Sequence, residues 1–368
     1  MKKVMILANN DVGLYKFRKE LIEILLKGYE VHIVLPDGSF VAEMVRMGCI
    51  FHAVDFQRRG TNPFSDLVLL KKYRALMAQI SPDAVLTYTI KPNVYGGIAC
   101  ASRNIPYIAN ITGLGTAVEN PGVLQLITTN LYKFALRKAA KVFFQNEDNL
   151  LFMKNKGIVR SDYDLLPGSG VNLKQYKSMP YPQGDTVDFL FVARVMKAKG
   201  IDQYLEAAEY ITGKYPNTRF HICGVCDEDY AQILKEKSGA GVIVYHGPVK
   251  DMLPVYEMSS CTVHPTYYPE GMSNVLLESC ASARPIIATD RPGCREIIDD
   301  GVNGFVCRQQ DSKDLIEKIE RFLALPLAER EKMGLLGRQK VEREFDRSIV
   351  INKYMMELAK YGRVQEDI

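Results

Sequence analysis

Two glutamates, Glu270 and Glu278, are separated by seven residues in "YYPEGMSNVLLESC", and Gly271, Met272, Ser273 and Asn274 directly follow the first. Pro269 and Gly271 read as a loop, and "NVLLESCASA" reads as a helix that begins near Met272 or Ser273. The amino end of a helix offers amides without internal partners and the positive end of its dipole, which suits a phosphate. Ser273 and Asn274 add side-chain donors there. Eight residues of helix span about 12 Å, too far for both carboxylates to act on one bond. A glycosidase pair flanks its oxygen at about 5 to 10 Å. The spacing fits a longer ligand, with phosphates at the helix start, one glutamate toward a ribose diol and the other toward a sugar.

A second signal is "FVARVMKAKGIDQYLEAA", where a strand runs into a loop holding Arg194 and Lys199 before a helix. Two cations at the carboxyl end of a strand can neutralise a diphosphate leaving group, and donors of this kind are worth roughly 10²- to 10³-fold each. The third is "NNDVGLYK", where Gly13 follows the first strand and lets backbone approach a ligand. A tight turn that needs a glycine is the competing reading. The loop is not GxGxxG, so hydride transfer on a nicotinamide loses its main support.

The elements that must position these loops alternate regularly. "KVMILA", the amphipathic run "FRKELIEILLKG" and "YEVHIVLPDG" make a βαβ unit, and "AVLTY", "PYIANI" and "KVFFQN" continue the parallel sheet. The Gly-, Pro- and Ser-rich stretch "LLPGSGVNLKQYKSMPYPQGDT" breaks the period and predicts a linker over 167–187. Beyond it the grammar restarts with "DFLFVAR", "TRFHICG", "GVIVYHG", "CTVHP", "RPIIAT" and "GFVC" as strands. The prediction is α/β, with two Rossmann-like doubly wound parallel-sheet domains (1–166 and 188–345) facing across a cleft. A terminal helix, 346–368, packs back toward the first domain. Such sheets bind ligands at the carboxyl ends of their strands.

A chain of 368 residues with 47% hydrophobic content and a mean hydropathy of -0.09 can bury full cores. Apolar runs fall short of a membrane span and "MKKVMILANN" lacks signal-peptide features, so a cytoplasmic location is expected. The eight cysteines lie in apolar runs, and the lone "CGVC" has neither zinc-ligand nor thioredoxin-like context. Asp162 to Asp164 and Asp227 to Asp229 read as surface turns. His221, His246 and His264 lack ligand spacing, and no metal site is predicted. Residues 1–160 carry 21 Lys+Arg against 12 Asp+Glu, so this half is basic and favours an anionic partner.

Together "ARVMKAKG", "PEGMSNVLLE" and "RPGCREIIDDGVNGFV" resemble glycosyltransferase family 4, retaining nucleotide-sugar enzymes of the GT-B fold, over nearly the whole chain. "PGSGVNLKQY" and "VFFQNEDN" match as well. The amino-terminal runs are most similar to bacterial members that extend lipid-linked oligosaccharides or capsule precursors. The resemblance implies that Arg194 and Lys199 hold the donor diphosphate and that Glu270 contacts donor-sugar hydroxyls beside the backbone of Gly271 and Met272. It places Ser273 and Asn274 at the phosphates and ribose, Glu278 at the ribose hydroxyls, Val249 at the base and Gly13 at the diphosphate. Many relatives have a histidine where this chain has Thr112, which can donate a hydrogen bond but holds no proton at neutral pH.

The implied co-substrate is a nucleotide sugar, UDP-linked, with no further cofactor. The basic half would bind the acceptor, a lipid-linked or other saccharide, through Arg58, Arg59, Lys91 and Thr112. The run "LQLITTNLYKFALRKAAK" would meet a lipid diphosphate or anionic headgroups, or would be an ordinary helix on its own sheet. Nucleic acid is not an expected partner, because no recognition element for it is present. A nucleotide-sugar epimerase of the same fold and a non-catalytic anion-binding protein are the rival readings.

Overall fold

The run "KVMILA" forms a buried strand, β1 (Lys2–Leu7), with parallel neighbours on both sides. In this computed structural model, residues 1–57, 62–115, 118, 121–159 and 162–361 are described, and the chain divides into two units. Unit 1 is Met1–Ser169 with Pro269–Gly271 and Ser348–Ile368, and unit 2 is Gly170–Tyr268 with Met272–Arg347.

Unit 1 continues with α1 (Asp11–Leu25), β2 (Tyr29–Leu35), α2 (Val41–Met47), β3 (Ile50–Ala53), α3 (Pro63–Ile80) and β4 (Ala84–Tyr88). A π-helical turn, Pro92–Gly96, leads into α4 (Gly97–Ala101), β5 (Tyr107–Ile111), α5 (Val123–Leu136), β6 (Lys141–Phe144), α6 (Glu147–Asn155) and β7 (Tyr163–Leu165). The seven strands run parallel in the order β3-β2-β1-β4-β5-β6-β7. Strand residues alternate between faces. Val4 and Ile6 therefore pack with α1 and α2, whereas Met5 and Leu7 face the side covered by α3 to α6.

Unit 2 is a second parallel sheet. It comprises β8 (Val187–Val192), α7 (Ile201–Lys214), β9 (Thr218–Cys223), α8 (Ala231–Gly239), β10 (Val244–Gly247), α9 (Leu253–Met258) and β11 (Cys261–His264). It continues with α10 (Asn274–Ala281), β12 (Ile286–Thr289), β13 (Gly304–Cys307), α11 (Ser312–Leu323) and α12 (Leu327–Glu344). Its strand order is β10-β9-β8-β11-β12-β13. One face carries α7, α8 and α11, and the other carries α9, α10 and α12. The last helix, α13 (Arg347–Ala359), lays Val350, Tyr354 and Leu358 into the Val4–Ile6 core of unit 1.

Three details differ from expectation. Tyr163–Leu165 is a seventh strand paired to β6 rather than part of a surface turn, and three residues at a sheet edge are too few to show a period. Its Asp164 accepts from Lys353 Nζ at 2.9 Å. Gly13 lies inside α1, because Asn10 opens the helix and its Oδ1 accepts from the Gly13 amide at 2.6 Å. The second acidic turn is engaged in the site described next.

Candidate functional site

The residues after β8 form a cationic loop tightly bound to its surroundings. Lys197–Lys199 make one 3₁₀ turn closed by Gly200 at φ +78°, where a Cβ would meet the Pro265 carbonyl oxygen at 2.1 Å. Only glycine allows the turn to lie on β11's end. Tyr267 N donates to Ala198 O at 3.0 Å. Lys199 Nζ stands 4.9 Å from the ring centroid of Tyr268, and the Arg194 guanidinium stands 5.7 Å from the same ring. One aromatic face thus attracts two cations that repel each other. Arg194 is ion-paired with Asp227, and the Lys197 amide donates to Glu228 Oε2 at 2.7 Å. The turn Asp227–Asp229, expected to be an idle surface turn, fixes the cationic loop.

Burial, with Arg194 beside it, lowers the Lys199 ammonium to about 8. Beneath it His264 is 2% exposed and is held neutral by burial and by Lys199, which bring it down to about 3. Neither ring nitrogen of His264 has a hydrogen-bond partner among the described residues.

The start of α10 reaches the same region through the turn that follows β12. Arg291 Nε donates to Tyr268 O at 3.0 Å, and the Ser273 amide donates to Gly293 O at 2.8 Å. Ser273 is 1% exposed, and its Oγ accepts from the Leu276 amide at 3.5 Å. Its hydroxyl therefore caps the helix, and its amide is taken up by the turn after β12. The amides of Asn274 and Val275 occupy the first turn, where a helix has no internal acceptor for them. Asn274 Oδ1 is buried without a partner among the described residues. Along α10, Glu278 Oε2 accepts from Tyr256 OH at 3.1 Å. Tyr256 belongs to the apolar cluster against which the half-buried Val249 packs. Met272 is buried in the core beside α10.

Glu270 and Gly271 belong to unit 1. Asn146 caps α6 with its Oδ1, while its Nδ2 donates to Glu270 O at 3.2 Å and to Gly271 O at 2.6 Å. A Cβ on Gly271 would meet Thr112 O at 2.3 Å and Gln145 Oε1 at 2.4 Å. Gly113, at φ +137°, brings its own backbone against the Gly271 amide. Thr112 therefore borders the Glu270 segment through its backbone. Asn146, Gln145, Tyr268 and Tyr256 were not among the predicted site residues. The only sequence signal was the asparagine at the strand-to-helix junction of "VFFQNEDN".

The other predicted contacts are more dispersed. Lys91 is buried, and its Nζ donates to Asp66 Oδ1 at 2.7 Å, with Tyr95 OH on Asp66 Oδ2 at 2.8 Å. Arg58 and Arg59 lie outside the described residues. His221 on β9 bridges Asp188 of β8, at 2.8 Å, and His246 of β10, at 3.0 Å. Among the described residues no three His, Cys, Asp or Glu side chains converge as a metal site. All eight cysteines are free thiols, and burial raises Cys223 to about 11. No described helix is long and apolar enough to cross a membrane.

Two parallel-sheet Rossmann-like units, of seven and six strands, have the GT-B fold of glycosyltransferases. The chain belongs to the glycosyltransferases. Residues 180–340 match the family model "Glycosyl transferases group 1", and residues 3–146 match "Glycosyl transferase 4-like". The chain is 26% identical over 390 residues to the N,N'-diacetylbacillosaminyl-diphospho-undecaprenol alpha-1,3-N-acetylgalactosaminyltransferase of Campylobacter jejuni, covering 100% of both chains. It is 25% identical to the capsular polysaccharide biosynthesis glycosyltransferase CapM of Staphylococcus aureus, with 88% of each covered. Among solved structures, HepE of Anabaena in complex with UDP and glucose superposes with a TM-score of 0.78 at 17% identity, covering 98% of this chain and 100% of that one. A glycosyltransferase from Rickettsia africae superposes with a TM-score of 0.80 at 18% identity, covering 100% and 99%.

Proposed function

We propose that this glycosyltransferase moves a sugar, an N-acetylhexosamine or hexose, from a UDP-linked donor to a polyprenyl-diphosphate-linked saccharide, with retention at the anomeric carbon. The observation that carries the proposal is the convergence of Arg194 and Lys199 on Tyr268, tied through the Arg291–Gly293 turn to the start of α10. A diphosphate seated there meets two cations and the first-turn amides of a helix. Lys199, lowered to about 8 by burial, regains its proton affinity when an anion arrives.

The remaining roles follow from placement and resemblance. Glu278, oriented by Tyr256, accepts from the ribose hydroxyls, and Val249 lines the base. Asn146 fixes the backbone around Glu270, which accepts from the donor-sugar hydroxyls. The acceptor oxygen bonds to the anomeric carbon on the face the diphosphate leaves, and its proton passes to the departing phosphate oxygen. Unit 1 takes the acceptor, with Lys91, Thr112, Arg58 and Arg59 as candidate contacts and the cytoplasmic membrane face as its working location. The charge carried by Arg194 and Lys199 stands in for a metal ion.

The HepE complex with UDP and the C. jejuni relative's lipid-linked acceptor support this choice of donor and acceptor. The test is to incubate the protein with UDP-sugars, with and without a polyprenyl-diphosphate disaccharide, in the presence of EDTA, measuring UDP release and the anomeric configuration of the product. Acceptor-dependent release with an axial linkage from an axial donor is expected. Sugar epimerisation without acceptor would favour the epimerase reading, and inverted product would remove the retaining one.

A further inference from the structure

Helices α3 and α5 bury an apolar side, Leu69, Tyr73 and Met77 on α3 and Tyr132, Ala135 and Leu136 on α5, and expose further apolar residues to water. Helix α5 buries Thr128 and Thr129 while exposing Val123, Leu124, Leu126, Ile127 and Phe134. Helix α3 buries Asp66 against Lys91 while exposing Phe64, Leu67 and Val68. Phe64 is 80% exposed and Val123 is 73% exposed. Scattered apolar residues on a surface are ordinary, but exposed apolar residues grouped within the first turns of a helix form a patch, and such patches mark interaction sites. The two helices share one layer, because both pack into the core that contains Ala99 and Cys100 of α4. Each follows a parallel strand, so their amino ends lie at the carboxyl edge of the unit 1 sheet, the edge at which such sheets bind ligands.

Charge selects the occupant. Helix α5 contains no acidic residue, and the single one of α3 is the buried Asp66. Lys71, Lys72 and Arg74 on α3 are exposed, as are Lys133 on α5 and Arg137 and Lys138 just beyond it. In both helices the apolar group precedes the cations, apart from Phe134, which follows Lys133. Phe64 to Lys71 and Leu126 to Lys133 are the same seven-residue step, about 10 Å along the axis at 1.5 Å per residue. An interfacial element buries its apolar part roughly 5 to 10 Å deep and leaves cations among the headgroups. A second copy packed face to face would instead bring these cations together.

We propose that the exposed faces of α3 and α5 dock unit 1 onto an anionic bilayer, with Phe64, Leu67, Leu126 and Ile127 in the acyl boundary and the following Lys and Arg residues at the headgroups. The use of this face rests on the reading of the acceptor as lipid-linked, whereas its existence is measured without acceptor.

The full chain is tested by flotation with vesicles of phosphatidylglycerol and phosphatidylcholine, against phosphatidylcholine alone. Binding to the anionic vesicles is expected, weakened by salt and reduced at least about 10-fold by the double substitution Leu126→Ser and Ile127→Ser. UDP binding of that variant should be unchanged, which also verifies folding. The chain has no tryptophan, so Ile127→Trp gives a background-free depth probe. Its emission should shift blue on anionic vesicles and be quenched by brominated acyl chains. Absence of vesicle binding, equal binding by the double variant, or an unshifted emission from the Ile127→Trp protein overturns the proposal. So does a dimer in sedimentation that the double substitution dissolves, which would assign the face to a second copy. Vesicle binding without UDP binding would remove the proposed function and keep the face; UDP binding without vesicle binding would do the reverse.

Discussion

Lys199 and Tyr268 lie 4.9 Å apart, ammonium to ring centroid, with Arg194 on the same ring at 5.7 Å. A buried lysine beside an arginine is poor at holding its proton, and this one is lowered to about 8. Under the proposed function, a diphosphate arriving beside Lys199 raises its proton affinity again.

That value predicts, under the proposed function, an alkaline limb in donor binding. Below about 8 the free enzyme carries the Lys199 charge, and as pH rises through 8 the charge is lost and donor affinity falls. The KM for donor should therefore climb above pH 8 while protein content and fold stay constant. Lys199→Arg, which stays charged, should move the limb upward, although the planar fork lowers the rate. A KM that is flat to pH 9.5 would disprove the assignment.

Gly271 leaves no room for a side chain, since a Cβ would sit 2.3 Å from Thr112 O and 2.4 Å from Gln145 Oε1. Gly271→Ala should displace the Glu270 segment and reduce kcat at least about 10-fold, because small misplacements of positioning groups are costly. Gly184→Ala, where nothing lies within 4 Å, serves as the neutral control in the same assay.

Asn146→Ala removes both donations to the Glu270 and Gly271 carbonyls. Loss of a buried donor should lower stability by about 1 to 3 kcal/mol, read by urea denaturation, and reduce kcat. Asn146→Asp presents oxygen to carbonyl oxygen and should reduce kcat further.

Tyr256→Phe deletes a hydroxyl that donates to Glu278. The expected result is a several-fold higher KM for UDP-sugar with kcat nearly unchanged, as befits an interaction made equally in ground and transition states. A large fall in kcat would instead place Glu278 in the chemical step.

The alternation of strands and helices was legible because buried parallel strands read as continuous apolar runs, and Arg194 and Lys199 were legible because they follow one. The long-range contacts that hold the site were not. Asp227 lies 33 residues beyond Arg194, and Asn146 reaches Glu270 across 124 residues; local pattern carries no record of either. Ser273 illustrates a different loss. Serine before an apolar helix serves a cap and a phosphate equally well; here its hydroxyl caps α10 and its amide donates to the Gly293 carbonyl. Gly13 was read as a loop because the capping role of Asn10 has the same composition as a turn.

The central claim, that UDP's diphosphate is held by Arg194 and Lys199, is tested most directly by calorimetric titration of UDP into the wild-type protein and into Lys199→Ala and Arg194→Ala at pH 7. Binding to the wild type, weakened at least about 10-fold in each variant with unchanged circular dichroism, is the predicted result. Equal affinity in all three proteins would contradict it.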